Sequence, residues 1–109
     1  MKELYERAAD FIWRYGRPLE KYRVAFHFMQ GPQSAVLASL RAYQNTDYGL
    51  GNALEPDKRF PGSTPADVMT AFYILDEVEG FKDPLVIEAC NYLETITTVG
   101  GGVTFTLHQ

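Results

Sequence analysis

The chain opens on a helical rhythm. Leu4, Ala8, Phe11, Ile12 and Tyr15 recur at a 3.6-residue period, which predicts a helix from Lys2 to Tyr15, and Gly16 followed by Arg17-Pro18 supplies a stop. The next segment, Pro18 to Met29, carries two patterns. Tyr22, Val24, Phe26 and Phe28 alternate as in a strand, while Leu19, Tyr22, Phe26 and Met29 fit a helix that Pro18 would open. The helical reading is preferred. Gly31-Pro32 then interrupts the chain, and Gln33 to Tyr43 predicts a further helix with Val36, Leu37, Leu40 and Tyr43 on one side.

Past a long stretch of turn residues, Thr64 reads as an N-cap, Pro65 as the first helical residue and Asp67 as the acid of a capping box. The helix they start holds Val68, Met69, Ala71, Phe72, Tyr73, Ile74 and Leu75, apolar nearly all round, which implies burial on several sides. Gly80 closes it. Asp83-Pro84 opens another, whose expected buried face is Val86, Ile87, Cys90, Leu93 and Ile96. The runs from Val36 and Val86 resemble each other, and each leads to a glycine cluster, Gly49-Leu50-Gly51 and Gly100-Gly101-Gly102. Self-similarity at a period of about 50 residues is the sign of stacked supersecondary units. Val103, Phe105 and Leu107 then alternate with polar residues in a strand-like tail that something should cover.

Composition narrows the partners. At 109 residues, 46% hydrophobic and 14% aromatic, the chain is expected to form a single domain, residues 1–109, with a core. Ten basic against fourteen acidic residues give a net charge of −4 with no basic run, which excludes the electrostatic footprint of a nucleic-acid binder. Cys90 is the sole cysteine, as expected of a cytoplasmic, reducing compartment. Charged residues interrupt the N-terminal segment, so neither a signal peptide nor a membrane span is expected.

The central stretch reads Gln44-Asn45-Thr46-Asp47-Tyr48-Gly49-Leu50-Gly51 and runs on into Ala53-Leu54-Glu55-Pro56-Asp57 and Arg59-Phe60-Pro61-Gly62-Ser63-Thr64-Pro65. It resembles the repeat of terpenoid cyclases, squalene cyclases and protein prenyltransferase β subunits: a Gln, a short polar spacer, Asp-Gly-Gly-Phe-Gly and an inner helix. The closer resemblance is to the N-terminal part of uncharacterised bacterial members, which also carry the Gly101-Gly102-Val103-Thr104-Phe105 type of element. The resemblance implies an all-α fold of four to five helices, part of an α/α toroid with a long Gly/Pro-rich loop. Two departures stand out. Tyr48 and Leu50 occupy positions where the motif prefers Gly and Phe, which alters the turn, since glycine alone is indifferent to a positive φ. A closed ring of six helical pairs would also need roughly 300 residues, so the expectation is an open arc.

Asp47, Glu55 and Asp57 are the candidate catalytic acids, since clustered carboxylates can divide acid and base roles. The competing reading makes them turn residues, Asp47 forming an Asx-turn before Gly49. Tyr48, Arg59, Phe60 and Tyr73 are the candidate ligand-binding residues, with rings able to stack on a sugar or pack on a hydrocarbon. No Asp-x-Asp-Asp run is present for alkene protonation. Cys90, His27 and His108 lack ligand spacing, so no metal or other cofactor is expected, and Cys90 is read as a small buried helix residue. Two functions remain open. One is a self-associating module or fragment, a homo-oligomer formed through exposed inner helices and the tail. The other is a toroid-type enzyme or binding protein for a glycan or isoprenoid-like small molecule.

Overall fold

The computed structural model describes residues 2–55 and 60–97, the side chains of residues 2 and 5 excepted. The architecture is all-α. Five helices follow in order: α1 (Lys2–Tyr15), α2 (Pro18–Phe28), α3 (Gln33–Arg41), α4 (Pro65–Glu77) and α5 (Pro84–Thr95). The described residues hold no strand, although an isolated antiparallel bridge joins Gln44 to Leu50. The strand-like tail and the second glycine cluster lie outside the described residues. Two compact units divide the chain, one ending at Leu40 and the other beginning at Arg41.

In the first unit α1 packs on α2. Pro18 at the first helical position resolves the ambiguous segment as a helix, because its fixed φ suits a helix start and its missing N–H costs nothing there. Arg17 contributes no side-chain cap but binds the Glu20 carboxylate through Nε at 2.8 and 3.0 Å. Burial alone would raise the Glu20 carboxyl. The Arg17 hydrogen bonds, its own backbone N–H and the charges of Arg17 and Arg23 outweigh burial and hold it below its ordinary value. At the far end Gln30 takes a left-handed φ of 55°, and the Gly31 N–H reaches back to the Ala25 carbonyl at 2.8 Å. Leu19 of α2, with Val36 and Leu40 of α3, is buried.

In the second unit α4 packs on α5, and Leu50, Leu54, Val68, Ala71, Leu75 and Leu85 are among its buried residues. The start of α4 departs from a capping box in one respect. Thr64 Oγ1 accepts the Asp67 N–H at 3.1 Å, as expected, but the carboxylate does not return to the Thr64 N–H, which donates instead to the Leu50 carbonyl at 3.0 Å. Asp67 accepts the Thr64 hydroxyl at 2.7 Å and the Glu55 N–H at 3.1 Å. α4 buries Val68, Ala71, Ile74 and Leu75 among others, and leaves Met69, Tyr73 and Asp76 as an exposed strip at i, i+4 and i+7.

The buried face of α5 is one residue out of step with the expectation. Leu85, Ala89 and Tyr92 face inward, while Ile87 is 68% exposed and Cys90 is exposed rather than buried. A one-residue step turns a helix face by about 100°. Tyr92 explains the choice: its ring is buried and its hydroxyl donates to the Ser63 carbonyl at 3.0 Å, so both ends of an amphipathic side chain are satisfied.

Thr64 is the most informative single residue of this unit. Thr64→Ala removes the α4 cap and takes a donor from a buried carboxylate, and should lower the unfolding free energy by about 2–3 kcal/mol in urea titration.

Candidate functional site

The connection from α3 to α4 is a folded joint. Asp47 Oδ1 accepts the Gly49 N–H at 2.9 Å, the Asx-turn that its sequence position allows. Around it the Asn45 N–H donates to the Gly49 carbonyl at 2.9 Å and the Gly51 N–H to the Tyr43 carbonyl at 2.9 Å. Farther along, the Asn52 and Ala53 N–H groups donate to the Pro61 and Phe60 carbonyls at 3.0 and 3.4 Å. The backbone therefore doubles back on itself as a narrow ribbon.

Both glycines of the motif serve close approach. A Cβ on Gly49 would sit 2.6 Å from Ser63 Cβ and 2.8 Å from Tyr92 Cδ1, and one on Gly51 would overlap the Gly62 carbonyl. The left-handed conformation falls on their neighbours instead: Tyr48 at φ 69°, Asn52 at 56° and Ala53 at 61°. Tyr48 thus carries a left-handed backbone that glycine alone adopts without cost. Leu50 is fully buried and contributes to the core.

The described residues among those expected at a site bond to different partners. Asp47 is exposed and accepts the Ser63 hydroxyl at 2.6 Å. Glu55 is half-buried, accepts the Thr70 hydroxyl at 2.7 Å and gives its own N–H to Asp67. Tyr48 and Tyr73 are exposed, whereas Phe60 is half-buried and its ring would meet any Cβ placed on Gly62. Asp57 and Arg59 lie outside the described residues.

Several polar residues that sequence reasoning passed over complete the joint. Asn52 Nδ2 donates to Asn45 Oδ1 at 2.9 Å, and Asn45 Nδ2 to Ser63 Oγ at 3.0 Å and the Pro61 carbonyl at 3.1 Å. A relay of Asn52, Asn45, Ser63 and Asp47 results. Ser63 Oγ both donates and accepts in that relay, which anchors it rather than freeing it for nucleophilic attack. Nearby, Arg41 donates to Asp83 at 2.8 Å, to Glu88 at 3.1 Å and to Gln44 at 3.2 Å, and Gln44 also donates to Glu88 at 3.3 Å. Gln44, the first residue of the motif, was legible as part of a pattern; its tie to α5 was not.

Among the described residues no His, Cys, Asp and Glu side chains gather into a group of three that could hold a metal ion. His27 is exposed beside the rings of Phe26 and Phe28. None of the described helices is long and apolar enough to cross a membrane. The chain matches no protein-family model, no curated protein and no solved structure.

Two measurements probe the joint. Tyr48→Gly should raise the unfolding free energy by about 1 kcal/mol, read from the urea midpoint, by removing a left-handed tyrosine. Burial, followed by the negative charges of Asp47 and Asp67, pushes the Tyr92 phenol from the usual 10 up to about 12. The unfolded chain then loses that proton first, so this contribution is intact below pH 10 and disappears as pH rises towards 12. Urea midpoints measured across that window should fall less steeply in Tyr92→Phe than in the unaltered chain, with about 1 kcal/mol of stability lost at neutral pH for the missing hydrogen bond.

Proposed function

We propose that the chain is a self-associating α/α-toroid module, related to the terpenoid cyclase and protein prenyltransferase repeat and working in the cytoplasm. In this reading the Gly/Pro-rich connection is a structural joint and its acids hold the repeat together. One observation carries the reading: the described acids of the joint already have bonding partners, Asp47 the Ser63 hydroxyl and the Gly49 N–H within it, Glu55 the Thr70 hydroxyl of α4. Association is supported by α4, whose Met69 and Tyr73 stay exposed. The family relationship rests on the motif from Gln44 to Pro65, and the compartment on the single, exposed cysteine.

The alternative is a protein that binds or transforms a glycan or isoprenoid-like molecule. Tyr48 and Tyr73 favour it, as rings already presented to solvent. Its catalytic acids would be Asp47, Glu55 and Asp57.

Asp47→Asn and Glu55→Gln separate the two. A structural joint loses about 1–2 kcal/mol of stability with each change, whereas loss of ligand binding or turnover at unchanged stability supports the alternative. Sedimentation velocity tests association directly. The unaltered chain should shift to larger species with concentration, Tyr73→Ser should weaken that shift several-fold, and a strictly monomeric chain overturns the module reading.

A further inference from the structure

Tyr73 stands out of α4 with most of its surface in water. It is 71% exposed, and its helical neighbours at i−4, i−3, i+3 and i+4 are Met69, Thr70, Asp76 and Glu77. On a helix such neighbours lie about 5–6 Å apart between Cβ atoms, so these four surround the ring. Thr70 brings a third acid with it, because its hydroxyl donates to Glu55 Oε2 at 2.7 Å. An aromatic ring therefore stands among the carboxylates of Glu55, Asp76 and Glu77, and the exposed Met69 extends its apolar surface.

The charge around that ring has one sign. α4 holds no basic residue, and Asp76 and Glu77 sit in its last turn, where the partial negative charge of the helix end opposes them. The wider unit has the same imbalance: residues 41–109 carry ten of the fourteen acidic residues and four of the ten basic ones. Arg41, one of those four, is already engaged by Asp83 and Glu88. Like charges gathered at a negative helix end repel one another, and a cation placed among them removes that repulsion.

The surroundings also define the shape of the cation. These carboxylates form no group that could hold a metal ion, so a compact ion does not fit. A guanidinium does: it is flat, stacks on an aromatic face and donates from its edges in several directions. A second copy that met this face with its own α4 would bring the same acids together, whereas a basic partner is attracted from a distance.

We propose that the Tyr73 face of α4 docks an arginine-bearing segment of a basic partner protein, with a guanidinium stacked on the ring and held by Glu55, Asp76 and Glu77. The proposal goes beyond self-association and sets a basic partner in competition with it for Tyr73. One such contact is small, so the affinity is micromolar and falls with salt.

The probe is a fluorescein-labelled peptide of about 12 residues, leucine and arginine at helical spacing, with a counterpart in which citrulline replaces every arginine. In anisotropy titrations at low salt the arginine peptide should bind with a Kd of about 10–100 μM, and the citrulline peptide about tenfold more weakly or worse. Tyr73→Ser and the triple change Glu55→Gln/Asp76→Asn/Glu77→Gln should each weaken binding about tenfold, while Tyr73→Phe, which keeps the ring, stays within about twofold. A second triple change, Glu3→Gln/Glu6→Gln/Glu94→Gln, removes the same charge from α1 and α5 and should also stay within about twofold. Circular dichroism checks the fold, and Asp76→Asn/Glu77→Gln replaces the first triple change if loss of the Glu55 bond unfolds it. Equal losses in the two sets of acid variants, binding unchanged by Tyr73→Ser, or no binding up to about 1 mM overturns the proposal. Sedimentation separates it from the module reading: a chain that self-associates but ignores the peptide loses only this docking site, and a monomeric chain that binds it loses only self-association.

Discussion

The buried carboxylate of Asp67 holds the second unit together. It accepts the hydroxyl that caps α4 and the backbone N–H of Glu55, so a single side chain fixes where the helix begins and where the joint returns to it. Because Asp67 frees the Thr64 N–H from the usual box, that N–H can seize the Leu50 carbonyl and seat Leu50 in the core. Ser63, next to the cap, then lies where the Tyr92 hydroxyl reaches its carbonyl and where Gly49 must lack a side chain. The exposed strip of Met69 and Tyr73 follows from the same placement, since seven residues of α4, from Pro65 to Leu75, are turned inward once its start is pinned.

The two units stop their helices in the same way. α2 ends with Gln30 left-handed and Gly31 reaching back to Ala25; α4 ends with Glu79 at φ 58° and the Gly80 N–H on the Leu75 carbonyl at 2.7 Å. The glycine marks the stop in the sequence, yet the strained backbone belongs to the residue before it. Left-handed residues at Gln30, Tyr48, Ala53 and Glu79 mean that, beside Asn52, which tolerates it, the chain carries this conformation on side chains that disfavour it.

Much of the fold was legible because its signals are local. Pro18, Pro65 and Pro84 open helices as their fixed φ requires, Thr64 and Asp83 cap through the adjacent turn, and the all-α class follows from those starts and the intervening apolar periods. The Asx-turn at Asp47 was legible for the same reason, and Tyr48 was marked as the odd residue of its motif. What escaped depends on residues far apart in the chain. The face of α5 was misjudged because Val86, Ile87 and Cys90 form as good an apolar stripe as Leu85, Ala89 and Tyr92, and a bond to Ser63, 29 positions away, makes the choice. The role of Gln44 was hidden likewise, since its partner Glu88 is 44 positions on. Asp47 and Glu55 looked like part of one cluster in sequence, and each takes a hydroxyl partner of its own, Ser63 and Thr70.

Those separations also bear on the order in which the chain assembles. The helices close through contacts three or four residues apart, which form quickly. Arg41 must wait for Asp83 and Glu88, 42 and 47 residues later, and Ser63 for Tyr92. Closing such loops costs entropy before any contact returns it, which slows folding. The Asx-turn and ribbon of the joint can therefore bend early, whereas the bonds that tie Arg41, Gln44 and Ser63 to α5 and its cap arrive only with that helix.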